Sequence, residues 1–143
     1  MLDCNHDDKK QTNKEKRKME LKDFIKKHEL EFFYDDADEN PNMTDSGHMK
    51  HYLCTIVFGK DETMEVYFSM GSARNEPTLD DVLNCIASDA STVENEGTFE
   101  NWAEGFGYDT DSRKAEKTYN AIKEQARELE THLGKDVYKE LLW

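Results

Sequence analysis

Alternating apolar and polar positions mark the first half of the chain. Every second residue is apolar in segments 52–58 and 64–70, which a Gly-Lys-Asp-Glu turn separates. Such a period of two predicts a hairpin with one face packed on a core. Leu30, Phe32 and Tyr34 alternate in the same way and predict an earlier strand, followed by a loop rich in Asp, Asn, Gly and Pro at 36–47.

The period changes from two to 3.6 after Gly71, which predicts helices in the second half. Thr78 precedes Asp81 by three residues in the manner of a capping box, and one helical face is apolar from Leu79 to Ala90. Thr98 is expected to cap a short helix over residues 99–104. The longest helix is predicted to start near 109–111, where two aspartates would cap it, and to stop at 134.

This long helix carries a narrow seam of apolar or small residues. The spacing fits a coiled-coil interface, but the seam covers under three heptads and therefore favours a helix packed on its own sheet. Both a monomer and a homodimer stay open. The seam consists of Ala115, Tyr119, Ile122, Ala126, Leu129 and Leu133.

Residues 1–18 are polar and charged and contain almost no large apolar side chains. They predict a disordered charged tail, followed by an amphipathic helix from Met19 and a single domain over 19–143. The expected fold class is α+β. It combines a small antiparallel sheet of about three strands with C-terminal helices packed on one of its faces.

The net charge of −13 is concentrated in two stretches. Residues 75–112 hold ten Asp or Glu and no Lys or Arg, and residues 29–49 hold seven and none. Because a phosphate backbone needs the opposite sign, direct binding of nucleic acid is disfavoured and a basic protein is the expected partner. The expected contacts, on exposed sides of their helices, are Asp80, Asp81, Glu94, Glu96, Glu100 and Glu104.

Trp102, Phe106 and Tyr108 lie within the same acidic stretch. One interpretation packs them against the core. The other makes one of them an exposed anchor for the partner, because Trp and Tyr often serve as binding hot spots. On the second interpretation Trp102 joins the expected partner-binding residues.

Metal-ligand patterns begin in two places and stay incomplete. Asp36, Asp38 and Asn40 match the start of a calcium loop, but proline follows where glycine is needed, and the twelfth position is glycine instead of glutamate. His48 and His51 are three residues apart without a Cys/His pair elsewhere to complete a zinc site. We expect no metal ligands.

Catalytic and cofactor motifs are equally incomplete. Ser69 begins a Ser-Met-Gly-Ser segment that is not the GxSxG elbow, and the chain contains neither a phosphate-binding loop nor GxGxxG. We therefore expect no catalytic residues, no cofactor and no enzymatic activity.

Cysteine usage and hydropathy bear on the compartment. Cys4, Cys54 and Cys85 are odd in number and form no CxxC pair, which favours reduced thiols in a cytosolic protein. No apolar stretch approaches the ~20 residues that span a bilayer. The first 18 residues lack the apolar region of a secretory signal. We expect a cytoplasmic protein without membrane contact.

Two segments resemble a group of short phage and prophage proteins. They are YFSMGSARNEPTLDDVLNCIASDAS (Tyr67 to Ser91) and TFENWAEGFGYDTDSRKAEKTYNAIKEQARELETHLG (Thr98 to Gly134). The likeness covers roughly Phe32 to the C-terminus, and Met19 resembles the usual start. It implies a phage origin and a bacterial host cytoplasm. Small acidic phage proteins of the anti-CRISPR and antirestriction kind imitate nucleic acid, so the resemblance implies by analogy an inhibitor of host defence.

Two hypotheses follow from the charge and the resemblance. The first is a non-enzymatic inhibitor or adaptor that presents the acidic 75–112 surface to a basic, nucleic-acid-binding host protein. The alternative is a phage accessory or structural domain whose acidity only serves solubility, because acidic runs are usually solvated faces. A small enzyme is a third, residual hypothesis.

Overall fold

The computed structural model describes residues 2–42, 49–59, 61–71 and 76–142. The fold is α+β, as the sequence predicts. Along the described chain, one helix precedes the three strands and four helices follow them. The elements are α1 (Leu2–Lys27), β1 (Glu31–Ala37), β2 (Lys50–Gly59), β3 (Glu62–Met70), α2 (Leu79–Glu96), α3 (Phe99–Gly105), α4 (Arg113–Leu133) and α5 (Lys135–Leu141).

The strands form one antiparallel sheet in the order β1-β2-β3. Its two faces differ in burial, as the period of two predicts. Cys54 pairs with Val66, and Ile56 pairs with Met64; all four side chains are buried on the face that the helices cover. Phe33 belongs to the alternate set of positions and is largely exposed. The predicted hairpin and the one-sided packing are confirmed.

The buried residues between this sheet face and the helices form what we call the main core. Helix α1 contributes to it as well as the C-terminal helices, so the sheet is covered from both ends of the chain. The members are Leu21, Phe24, Leu30, Tyr52, Cys54, Ile56, Met64, Val66, Met70, Leu79, Val82, Leu83, Ile86, Ala87, Leu129, Tyr138 and Leu141.

Helix α1 begins at Leu2, which differs from the disordered tail that the sequence predicts for residues 1–18. The Arg17 guanidinium reaches the rest of the fold, donating from Nη2 to the Leu141 carbonyl at 2.7 Å and from Nε to Asn84 Oδ1 at 3.3 Å. Lys-, Glu- and Gln-rich segments have good helix propensity even without an apolar stripe, which apolar patterning does not register. The division of the chain at residue 19 stays a prediction.

A second cluster lies between α2, α3 and α4, and we call it the aromatic cluster. Its buried members are Val93, Trp102, Ala103 and Ala115, surrounded by the partly buried Phe99, Tyr108, Tyr119 and Ile122. Helix α4 thus divides its seam between the two clusters. Helix α4 contacts α2 more than it contacts the sheet. The predicted packing of α4 on its own sheet therefore describes its surroundings only in part.

Candidate interaction surface

The turn between α2 and α3 sets the position of the acidic stretch. Gly97 ends α2 with φ of 81°, a conformation that glycine adopts without a Cβ penalty. Thr98 then caps α3, its hydroxyl accepting from the Asn101 amide at 3.2 Å, as the sequence predicts. The Asn101 side chain donates back to the Glu96 carbonyl at 3.2 Å. The end of α2 is therefore tied to the first turn of α3.

Four predicted contact residues flank this turn, Glu94 and Glu96 at the end of α2 and Glu100 and Glu104 on α3, and we call the four the acidic corner. All four are exposed, and none forms an ion pair with a described residue. The Glu96 carboxylate lies 3.8 Å from the point where a Cβ on Gly105 would stand, so it reaches the C-terminal end of α3. The corner thus places carboxylates from two helices side by side.

The prediction that Asp80 is exposed is wrong. Only 7% of Asp80 is accessible, and Asp81 is half-buried. Both lie in the first turn of α2, where Thr78 caps the helix and accepts from the Asp81 amide at 3.4 Å. The exposed amide groups of a helix N-terminus favour carboxylates there, which accounts for two acids beside the main core. Neither belongs to the acidic corner.

Trp102 is not the exposed anchor of the second interpretation, because only 3% of it is accessible. Its ring packs against Tyr119 with centroids 5.3 Å apart and against Tyr108 at 5.4 Å, within the aromatic cluster. The first interpretation, anchoring of the short helix, is therefore correct for Trp102. Among Trp102, Phe106 and Tyr108, the most exposed is Phe106, which lies directly after α3 and is 54% exposed.

Helix α4 is capped by Ser112 and not by the two predicted aspartates. The Ser112 hydroxyl accepts from the Ala115 amide at 3.2 Å. Asp109 instead accepts from the Asp111 amide at 3.0 Å, which closes a local turn before the helix. Both aspartates are exposed.

The structure describes Asp36, Asp38 and Asn40 of the calcium-like pattern but only His51 of the zinc-like pattern. Asp36 belongs to β1, and Asn40 uses its side chain locally, accepting from the Asn42 amide at 3.0 Å. His48 lies outside the described residues. Among the residues that are described, no group of three His, Cys, Asp or Glu side chains is placed to hold a metal ion.

Sequence reasoning missed a polar contact on the outer face of the sheet. Ser69 Oγ lies 2.7 Å from His51 Nδ1, and Asn40 donates to the same oxygen at 3.0 Å. His51 and Ser69 are cross-strand partners of β2 and β3, so assigning the pairing register of the hairpin from the sequence would have predicted their contact. It connects the loop after β1 to β3.

Two cysteines have thiols of low reactivity. Burial raises the pKa of Cys54 to about 12. Burial also raises the pKa of Cys85 to about 12, and its thiol donates to Asp89 at 3.5 Å. Thiols with such a pKa are protonated at neutral pH, so they are poor nucleophiles and poor metal ligands.

Within the described residues, no helix combines the length and the apolar character needed to cross a membrane. A scan against protein-family models, a search of curated proteins and a search of solved structures found no match for the chain. Functional inference therefore depends on the chain's own residues.

Proposed function

We propose that this chain is a non-enzymatic acidic protein that binds a basic, nucleic-acid-binding protein and blocks it. The observation that carries the proposal is the acidic corner, where four exposed glutamates lack ion-pair partners among the described residues. Exposed carboxylates without ion-pair partners attract a basic surface and speed its approach.

The layout of the acidic corner supports imitation of a phosphate backbone. Glu100 and Glu104 are one helical turn apart, a rise of about 6 Å. Glu96 lies against the end of the same helix, which extends the negative charge towards α2. A group of neighbouring negative charges resembles a phosphate backbone. Nucleic-acid-binding proteins recognise that backbone without reading the base sequence.

Phe106 supplies the apolar contact in this proposal. It follows Glu104 by two residues, is more than half exposed, and stacks on Tyr108 with centroids 6.0 Å apart. Aromatic side chains at the centre of an interface carry a large share of binding energy. Phe106 takes the role of exposed anchor that one of the two interpretations of the sequence gave to an aromatic residue of this stretch.

The proposed setting is the cytoplasm of a bacterial host, with a phage or prophage source. This part rests on the resemblance of segments 67–91 and 98–134 to short phage proteins. The alternative function, an accessory or structural domain whose acidity serves solubility, shares the same fold and surface. The two proposals differ in whether the acidic corner is needed for binding.

The experiment compares the wild type with a variant that has all four glutamates of the acidic corner changed to Lys. Tagged proteins capture partners from a bacterial extract, and mass spectrometry identifies them. We expect a basic nucleic-acid-binding protein that the wild type retains, that rising salt or added DNA releases, and that the variant does not retain. Charges are screened beyond about 8 Å at physiological ionic strength, which accounts for the salt effect.

A matched control carries four Lys substitutions at exposed acids outside the corner: Glu20, Glu31, Glu65 and Glu128. It has the same net charge as the corner variant. If both variants lose the partner equally, net charge and not the corner is responsible. If the corner variant folds and retains the partner, the acidity serves solubility only and the alternative function stands.

A further inference from the structure

A groove opens on the side of α2 next to the acidic corner. It has a volume of about 1000 Å³ and is bordered by the C-terminal half of α2, by α4 and by α5. Apolar side chains form its floor, among them Val93 from α2, Ile122 and Ala126 from α4, and Leu142 after α5. These floor residues, apart from Val93, are only half-buried in the chain itself.

Cations line this groove, although the protein as a whole carries a net charge of −13. Lys123 and Arg127 are one turn apart on α4, and Lys135 and Lys139 are one turn apart on α5. Two acids, Glu94 and Glu130, also line the groove, so four cations stand against two anions. The groove therefore has a net positive charge, although one of its two acids, Glu94, also belongs to the acidic corner.

The groove cations are little used within the fold. Lys135 and Lys139 have no ion-pair partner among the described residues. Lys123 lies over the Tyr119 ring at 5.4 Å, and Arg127 pairs with the exposed Glu124, an ion pair of little net value in water. Their convergence around an apolar floor therefore has no evident role in stability.

We propose that this groove binds an acidic amphipathic helix of a partner protein. The lining of α4 runs from Tyr119 to Thr131, which corresponds to about 18 Å, or somewhat over three helical turns. Half-buried Tyr119, Ile122 and Ala126 follow the 3-4 spacing at which helices interdigitate. A helix with apolar anchors at i, i+3 and i+7, flanked by Asp or Glu, matches both the floor and the cations.

The structure disfavours two other occupants. Helix α1 is rich in Lys and would be repelled by the same cations. A coiled-coil pairing of α4 with a second copy would need the whole seam, but Ala115 and Leu129 are already fully buried in the chain's own clusters. An acidic partner helix needs only the half-exposed part of the seam.

The test uses a synthetic helical peptide of about 18 residues with Leu anchors flanked by Glu, long enough to span the groove. A charge-swapped peptide, with Lys in place of Glu, is the first control. Binding is measured by fluorescence anisotropy, and amide NMR shifts locate the contact. We expect only the acidic peptide to bind and to shift Ile122 and Ala126.

The double variant Lys135→Glu/Lys139→Glu is expected to weaken acidic-peptide binding by at least about tenfold, because opposed charges become like charges. Lys18→Glu/Lys22→Glu is the matched control: it has the same spacing and charge change on exposed positions of α1, and we expect an affinity within about twofold of wild type.

Three results would overturn the proposal. The first is no binding of the acidic peptide up to about 1 mM, and the second is equal binding of the charge-swapped peptide. The third is a wild-type dimer, measured by light scattering, that Lys135→Glu/Lys139→Glu dissociates, because a second copy would then occupy the groove.

Discussion

The main core draws on residues that recur regularly along the chain, whereas the aromatic cluster joins α2, α3 and α4 without a common period. Ile56 and Met64 face each other across two strands, and Leu83 and Ile86 follow helical spacing. Trp102 instead lies in a helix of seven residues, which is too short to show a face. The aromatic cluster nevertheless supports the acidic corner, the surface that we propose binds the partner.

This difference indicates two levels of stability within one chain. The main core connects helices from both ends of the sequence to the sheet, while the aromatic cluster supports only the α2–α3 turn and the start of α4. Segments with fewer buried contacts open locally before the whole protein unfolds. We expect the acidic corner to open locally while the main core stays intact.

The largest expected effect comes from truncating one buried side chain in each cluster. Trp102→Ala should remove about 3–5 kcal/mol of packing free energy and Leu83→Ala about 2–5 kcal/mol. In Trp102→Ala, hydrogen exchange should show that the α3 amides lose protection while the β2 and β3 amides keep theirs. In Leu83→Ala, amides throughout the protein should lose protection. Phe106→Ala, on an exposed neighbour, should change stability by under about 0.5 kcal/mol. Equal loss of protection throughout the Trp102 variant would mean that the clusters unfold as one unit.

A smaller effect is expected at the two threonine caps, which have the same chemistry in the two regions. Thr98→Ala and Thr78→Ala should each cost about 1 kcal/mol, because a helix-terminal amide loses its acceptor. Denaturant unfolding can be monitored by spectroscopic signals from the sheet. Thr78→Ala, next to the main core, should shift the unfolding of these signals more than Thr98→Ala does. If the sheet signals respond equally to both substitutions, the separation into two levels of stability is wrong.

The smallest effect concerns the rates at which the two buried thiols react. Both have a pKa raised to about 12, so both stay protonated through neutral pH and alkylate slowly. Cys85, half-buried in α2, should react at least about tenfold faster than Cys54 in the main core, because local opening exposes it first. Peptide mapping after iodoacetamide treatment gives both rates, and equal rates would contradict the comparison.

The same thiols predict a loss of stability at high pH. Burial raises the pKa of each thiol in the folded protein above its ordinary value of 9.0, so folding favours the protonated thiol. This contribution is fully present below pH 9 and is lost as the pH rises towards about 12. The midpoint of denaturant unfolding should therefore fall over this range, and Cys54→Ser/Cys85→Ser should flatten the dependence.

The sequence by itself determined the sheet, the one-sided packing, the start of α2, both ends of α3 and the end of α4. These features follow from the spacing of apolar residues and from local signals such as the Thr78 and Thr98 caps. The exposure of Glu94 and of its neighbours at the acidic corner was predicted correctly for the same reason: a helical face can be recognised from residues three and four apart.

Only the tertiary structure decided which of several residues close together in the sequence is buried and which is exposed. Asp80 was expected at the surface, yet it is buried, and between the two interpretations of the aromatic residues only the structure shows that Trp102 is buried while Phe106 is exposed. The groove likewise exists only because α2, α4 and α5 pack beside one another, which brings the cations of α4 and those of α5 to one cavity. Exposure depends on which distant segment packs over a side chain, and that contact is set by the three-dimensional arrangement of helices and not by local spacing.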